Sequence, residues 1–159
     1  MNENRYAPPV APVADADAGA ALTRPRNVKL GCWILWAELV IGLPGFFYQM
    51  FNPPPGVEAG IPHVIYIVVM IITLGIFLLF AWFTYMAWDG RNWARILYLV
   101  LISLGLLFSF WALPKAFEKS TYDGVIYIVQ TVMSIVGVVL LFSPPANAWY
   151  RAMKAARSP

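Results

Sequence analysis

The chain has 159 residues, of which 60% are hydrophobic and only 12% charged, against a soluble balance of roughly 45–50% apolar and 25% charged. A water-soluble domain of this size could not hide so much apolar surface. The formal charge of +3 is small, and the basic residues lie in short clusters between apolar runs, which excludes the continuous cationic face of a nucleic-acid binder.

Residues 1–27, MNENRYAPPVAPVADADAGAALTRPRN, are rich in Ala and Pro, with scattered charges and no apolar periodicity. They cannot bury enough surface to offset the entropy of ordering, which predicts a disordered tail. A secretory signal would place its basic residues at the start and reach an apolar core within a few positions. Val28–Phe51 is almost wholly apolar, and about 20 residues at ~1.5 Å each are what a hydrocarbon layer of roughly 30 Å demands. Asn52-Pro53-Pro54-Pro55-Gly56 must then turn, because prolines remove amide donors and clash with the preceding helical turn.

Three further spans follow, His63–Trp88, Trp93–Leu113 and Tyr122–Phe142. Pro114 is expected to end the third, and Ser143-Pro144-Pro145 the fourth; residues 144–159 form a short terminal segment. Backbone amides and carbonyls in hydrocarbon must pair within their own segment, so these spans are helices despite their Val and Ile content. The fold class is all-α: an integral membrane four-helix bundle behind a disordered N-terminal tail.

Arg5, Arg24, Arg26, Lys29, Arg91, Arg95, Arg151, Lys154 and Arg157 fall on one side of this topology, and Lys115 and Lys119 on the other. Basic loops stay in the cytoplasm, which places both chain ends there. The polar island Asp89-Gly90-Arg91-Asn92 is the water-facing turn between the second and third spans. Trp82, Tyr85, Trp88, Trp93 and Tyr98 flank it at headgroup level, and Arg91 and Arg95 are expected to snorkel to lipid phosphates, making a rim of Arg91, Arg95, Trp88 and Trp93.

Glu38 is the one ionisable side chain deep within a span, nine residues beyond Lys29, or about 13 Å at 1.5 Å per residue. A charge there is costly by a few kcal/mol, so Glu38 should face protein or water. Gly31, Glu38, Gly42 and Gly45 follow one another at steps of seven, four and three, a small-residue groove with the carboxyl in it. Tyr127, Gln130 or Thr131, Ser134 and Gly137 repeat that spacing on the fourth span, with Ser134 at nearly the depth of Glu38. The first and fourth spans are therefore expected to pack together, with Glu38 hydrogen-bonded to Ser134 or Gln130. Such a cluster is either a proton or cation relay or a neutral glutamic acid acting as interhelical glue, worth about 0.6–2 kcal/mol. Paired broken helices and several intramembrane charges would mark a carrier; here only the first span, at Gly42, Pro44 and Gly45, is interrupted.

His63 near Glu58 lacks a third ligand for a metal site. Cys32 is the only cysteine, which excludes an intrachain disulfide; it suits packing better than lipidation. Gly105 and Ser109 form a small-xxx-small pair that would seat a helix of this chain or of a second copy. No nucleophile–base set, phosphate-cradling loop or paired acids are present, so a non-enzymatic protein without metal or cofactor is expected.

The tail Asn4-Arg5-Tyr6-Ala7-Pro8-Pro9, the turn Gly90-Arg91-Asn92-Trp93-Ala94-Arg95 and the ending Ser143-Pro144-Pro145-Ala146-Asn147-Ala148-Trp149-Tyr150-Arg151 resemble a group of small, uncharacterised four-span inner-membrane proteins of proteobacteria. The resemblance implies a bacterial inner-membrane location and architecture, and no activity. The expectation is a multi-pass accessory or interaction component, partnered by membrane lipid and by a second copy or a larger membrane protein. The alternative is a small proton- or cation-linked transporter using Glu38.

Overall fold

The structure, a computed structural model, describes residues 23–53 and 63–157. Residues 1–22 of the expected tail, Arg5 included, the Pro54-Pro55-Gly56 part of the first turn, and Glu58 lie outside the described residues. Among the described residues there are five helices: α1 (Arg26–Phe51), α2 (His63–Trp88), α3 (Asn92–Lys119), α4 (Thr121–Leu141) and α5 (Pro144–Ala156). No strand occurs among the described residues. The first four helices are each long and apolar enough to cross a membrane, and their outward faces suit lipid, with Ile71 64% and Phe110 81% exposed.

The turn after α2 shows how sequence sets a reversal. The amide of Gly90 donates to the Ala87 carbonyl and that of Arg91 to the Met86 carbonyl, both at 3.0 Å, the paired closure that needs a left-handed residue just past the helix end. Gly90, at φ +81°, supplies it, and a Cβ there would also stand 3.0 Å from the Trp149 ring. At the other end, Ser120 alone separates α3 from α4; its hydroxyl accepts the Asp123 amide at 3.0 Å, an N-cap.

Pro114 does not end the third span: α3 runs through it to Lys119. The proline removes one amide, leaving the Phe110 carbonyl without its in-helix donor, and membrane helices tolerate one such loss. Likewise α1 is continuous through Gly42, Pro44 and Gly45. The terminal segment is itself helical, since Pro144 and Pro145 occupy the first turn of α5, where missing amides cost nothing.

Each long helix packs on two others, α1 and α3 both against α2 and α4, so the four close into a ring. The α1–α4 contact is the most extensive, and glycines permit it. A Cβ on Gly31 would lie 3.0 Å from the Gly137 carbonyl oxygen, and one on Gly137 would lie 2.5 Å from Leu35 Cδ2. Gly45, placed in the same groove by spacing, faces open space instead. Its helical face is the same, but it lies toward the end where the helices bury little against one another, so no neighbour approaches it.

Close packing is concentrated at one end of the ring. Val28, Cys32 and Leu35 of α1, Phe83 and Ala87 of α2, Ala94 and Tyr98 of α3, and Val138 and Leu141 of α4 are all buried there. The short α5 closes that end with Ala146, Trp149 and Tyr150, one helical face. Toward the far end the helices bury little against one another: Phe46 and Gly124 are the buried residues of that half among those described.

Candidate functional site

Two groups of polar side chains need explaining: one at the sealed end of the bundle and one at its middle.

At the sealed end, helix termini leave carbonyls without in-helix donors, and in a membrane rim those carbonyls need protein partners. Arg95 meets this need for α4. It is only 7% exposed, donates from Nη1 to the Leu141 carbonyl at 2.8 Å and from Nε to Asn92 Oδ1 at 2.7 Å. Its guanidinium lies 4.1 Å from the centre of the Tyr150 ring and 4.7 Å from that of Phe142. Arg95 thus does not snorkel to lipid as expected; the bonds it makes inside outweigh solvation outside.

Tyr150 adds a second donor at the end of α2, its hydroxyl giving to the Ala87 carbonyl at 2.8 Å beside the Gly90 amide. Burial pushes its phenol pKa up, with the nearby Cys32 adding to the rise. Arg157 donates to the Asp89 carbonyl at 2.6 Å and pairs with its carboxylate at 3.2 Å, which Arg91 also pairs at 3.3 Å. Of the expected rim, Arg91 and Trp93 are exposed and Trp88 is half-buried. Trp88 lies beneath the Arg24 guanidinium, 4.0 Å from its ring centre, and Trp93 packs 5.3 Å from Trp82. Cys32 is fully buried in this core, a packing residue with no access for a lipid donor.

At mid-bundle the structure brings Glu38, Gln130 and Ser134 together. Ser134 Oγ donates to Glu38 Oε1 at 2.5 Å, and Gln130 Nε2 reaches the Glu38 backbone carbonyl at 3.5 Å. Glu38 Oε2 is buried and has no hydrogen-bond partner among the described residues. Gly42 makes room for this arrangement: a Cβ there would stand 2.9 Å from Gln130 Nε2 and 3.1 Å from the Phe77 ring. On the opposite wall Ser109 Oγ and the Tyr127 hydroxyl are 3.0 Å apart, joining α3 to α4.

These groups line one cavity of about 260 Å³ with walls from all four long helices. Glu38, Gln130 and Ser134 give it polar points on one side and Ser109 and Tyr127 on the other, and Phe77, Phe80 and Tyr98 supply aromatic surface. Phe80 and Tyr98 meet edge to face, 5.0 Å between centres, toward the sealed end. Of the lining residues only Ile76 on α2 and Gly105 on α3 are exposed, so the mouth opens sideways between those helices. Gly105, expected to seat a helix, has nothing within 4 Å of where a Cβ would lie.

His63 is exposed and lines a separate cavity of about 330 Å³ with Phe46, Phe51, Pro53 and Tyr66 near the far end of α1 and α2. No group of three His, Cys, Asp or Glu side chains capable of holding a metal occurs among the described residues. Sequence reasoning found Glu38, Gln130 and Ser134 but not the Phe80–Tyr98 floor or the roles of Arg95 and Tyr150. A usable hint was the common helical face of Ala94, Arg95 and Tyr98, which turns the arginine inward with the core. Comparison of the chain with protein-family models, curated proteins and solved structures yields no match.

Proposed function

We propose that this protein is a non-catalytic accessory or interaction component of a bacterial inner membrane, with both chain ends in the cytoplasm. The four apolar helices make it a multi-pass membrane protein. The excess of basic residues at the α5 end supports the cytoplasmic assignment of that end. The resemblance of its tail, inner turn and ending to small proteobacterial inner-membrane proteins supports the location. Exposed Arg91, Arg151 and Lys154 make the rim suited to anionic lipid. The exposed faces of α2 and α3 suit a second copy or a larger membrane protein.

One observation favours this over a carrier. Between Glu38 and the basic rim lie Leu35, Phe83, Tyr98, Leu141 and Tyr150, all buried and mutually packed, so the carboxyl has no aqueous route to that end. A carrier needs the site to reach both sides in turn. The specific observation favouring the carrier is the unpartnered Glu38 Oε2, which a transported proton or cation would occupy. Flux of protons and of small cations into proteoliposomes, with wild type and Glu38→Gln, separates the two. No flux in either form is expected; flux lost on exchange would overturn the accessory role.

A further inference from the structure

We infer that the mid-bundle cavity is a binding site for a lipophilic amine that enters from the lipid phase between α2 and α3. It goes beyond the accessory role and does not rest on it, since the cavity and its carboxyl are the same whether the protein is an accessory component or a carrier.

The size comes first. A dry engineered cavity of about 150 Å³ holds benzene, so the 260 Å³ here takes roughly ten to twelve non-hydrogen atoms on the same scale. The walls decide the body of the ligand. Leu39, Ile76, Phe77, Phe80, Ile102 and Leu106 present aliphatic and aromatic surface, and a pocket of mostly apolar walls with a few polar points is the usual form of a small-molecule site.

The head group follows from what the carboxyl lacks. Glu38 Oε1 already accepts from Ser134 and Oε2 has no partner, so the site is short of a donor. Among the described residues no Lys, Arg or His lines the cavity: Arg95 is committed to the Leu141 carbonyl at the sealed end. A carboxylate at this depth is costly alone, and an ammonium brings both the opposite charge and several N–H donors. The rings of Phe77, Phe80 and Tyr98 add a favourable lining for a cation. An anionic ligand would meet Glu38 as a like charge, and a neutral alcohol would leave the charge uncompensated.

The route is lateral. The floor toward the basic rim is closed by Phe80 against Tyr98, while the two exposed lining residues, Ile76 and Gly105, belong to α2 and α3. A molecule that partitions into the bilayer therefore reaches Glu38 without crossing the packed end.

The test is equilibrium dialysis of radiolabelled 2-phenylethylamine against the full chain in zwitterionic-lipid nanodiscs at neutral pH, with protein-free discs as the blank and 2-phenylethanol as the uncharged isostere. Saturable binding of one amine per chain is expected, with the alcohol and the Glu38→Gln variant each weaker by roughly tenfold or more. Gly105→Trp fills the mouth from a position with open space around it; it should abolish binding while leaving the unfolding midpoint near that of wild type, which guards against a misfolded Glu38 variant. Amine uptake no greater than in empty discs, equal binding of amine and alcohol, or wild-type binding by both variants would each overturn the inference. Amine flux would overturn the accessory role and leave this inference standing; failure to bind would leave the accessory role standing.

Discussion

Substituting Gly137→Ala tests the contact on which the bundle turns. The added Cβ would lie 2.5 Å from Leu35 Cδ2, 2.7 Å from Leu35 Cγ and 3.3 Å from the Gly31 carbonyl oxygen. Leu35 is fully buried, so its side chain has no vacant rotamer to retreat into, and α1 and α4 must separate. Overpacking of this kind costs about 1–3 kcal/mol, while the better helix propensity of alanine returns at most ~1 kcal/mol. A net loss on the order of 1–2 kcal/mol is expected. Leu35→Ala removes both clashing atoms at its own cost of about 2–5 kcal/mol. In that background Gly137→Ala should cost nothing, giving a coupling of roughly 1–2 kcal/mol. Gly45→Ala is the control, because its Cβ meets nothing within 4 Å. The assay is equilibrium unfolding in mixed micelles with a rising fraction of dodecyl sulfate, followed by circular dichroism. If Gly137→Ala matches Gly45→Ala in stability, or adds strictly to Leu35→Ala, the close approach of the two helices is not what holds them.

Two further outcomes are expected in the same assay. Arg95→Leu deprives the Leu141 carbonyl and Asn92 of their donor and should cost about 2 kcal/mol. Arg91→Leu, which breaks an exposed pair with Asp89, should stay within ~0.5 kcal/mol; equal losses would count against the buried role of Arg95. Tyr150→Phe loses the bond to the Ala87 carbonyl at about 1 kcal/mol. Because burial pushes the folded phenol up, the folded state holds its proton more tightly than the unfolded one, which titrates near pH ~10. That contribution is complete below this pH and drains away above it. Unfolding at about pH 8 and about pH 10.5 should show wild type losing more stability than Tyr150→Phe; parallel losses would refute the assignment.

Much of the architecture is legible in the sequence because lipid imposes two simple demands, length and apolarity. The α1–α4 contact is legible as well, since Gly31, Glu38, Ser134 and Gly137 are small or polar residues at helical spacing amid large apolar ones, and only a helix–helix seam uses them that way. Legibility fails where a residue has two physical uses. Ser143-Pro144-Pro145 stops one helix and starts the next, and the apolar positions Ala146, Trp149 and Tyr150 announce the second use only when taken together. Proline breaks helices in water, yet α1 and α3 carry Pro44 and Pro114 inside them. Arg95 sits in the first turn of α3, where arginines of a membrane helix ordinarily reach outward; which way it turns depends on the rotation of α3 against α4, and composition alone does not fix that. The cavity is a property of how all four long helices stand around it, and no local pattern encodes a gap.

Confining the buried contacts to one end gives the bundle the mechanics of tweezers. The jaws are joined where α5 clasps Arg95 and Ala87, and at the opposite end, where Ser120 ties α3 to α4, the remaining tips bury too little protein surface to set their own spacing. Their separation is handed to the surrounding bilayer, so its thickness and lateral pressure bear directly on the slot at Ile76 and Gly105. The membrane becomes part of the spring.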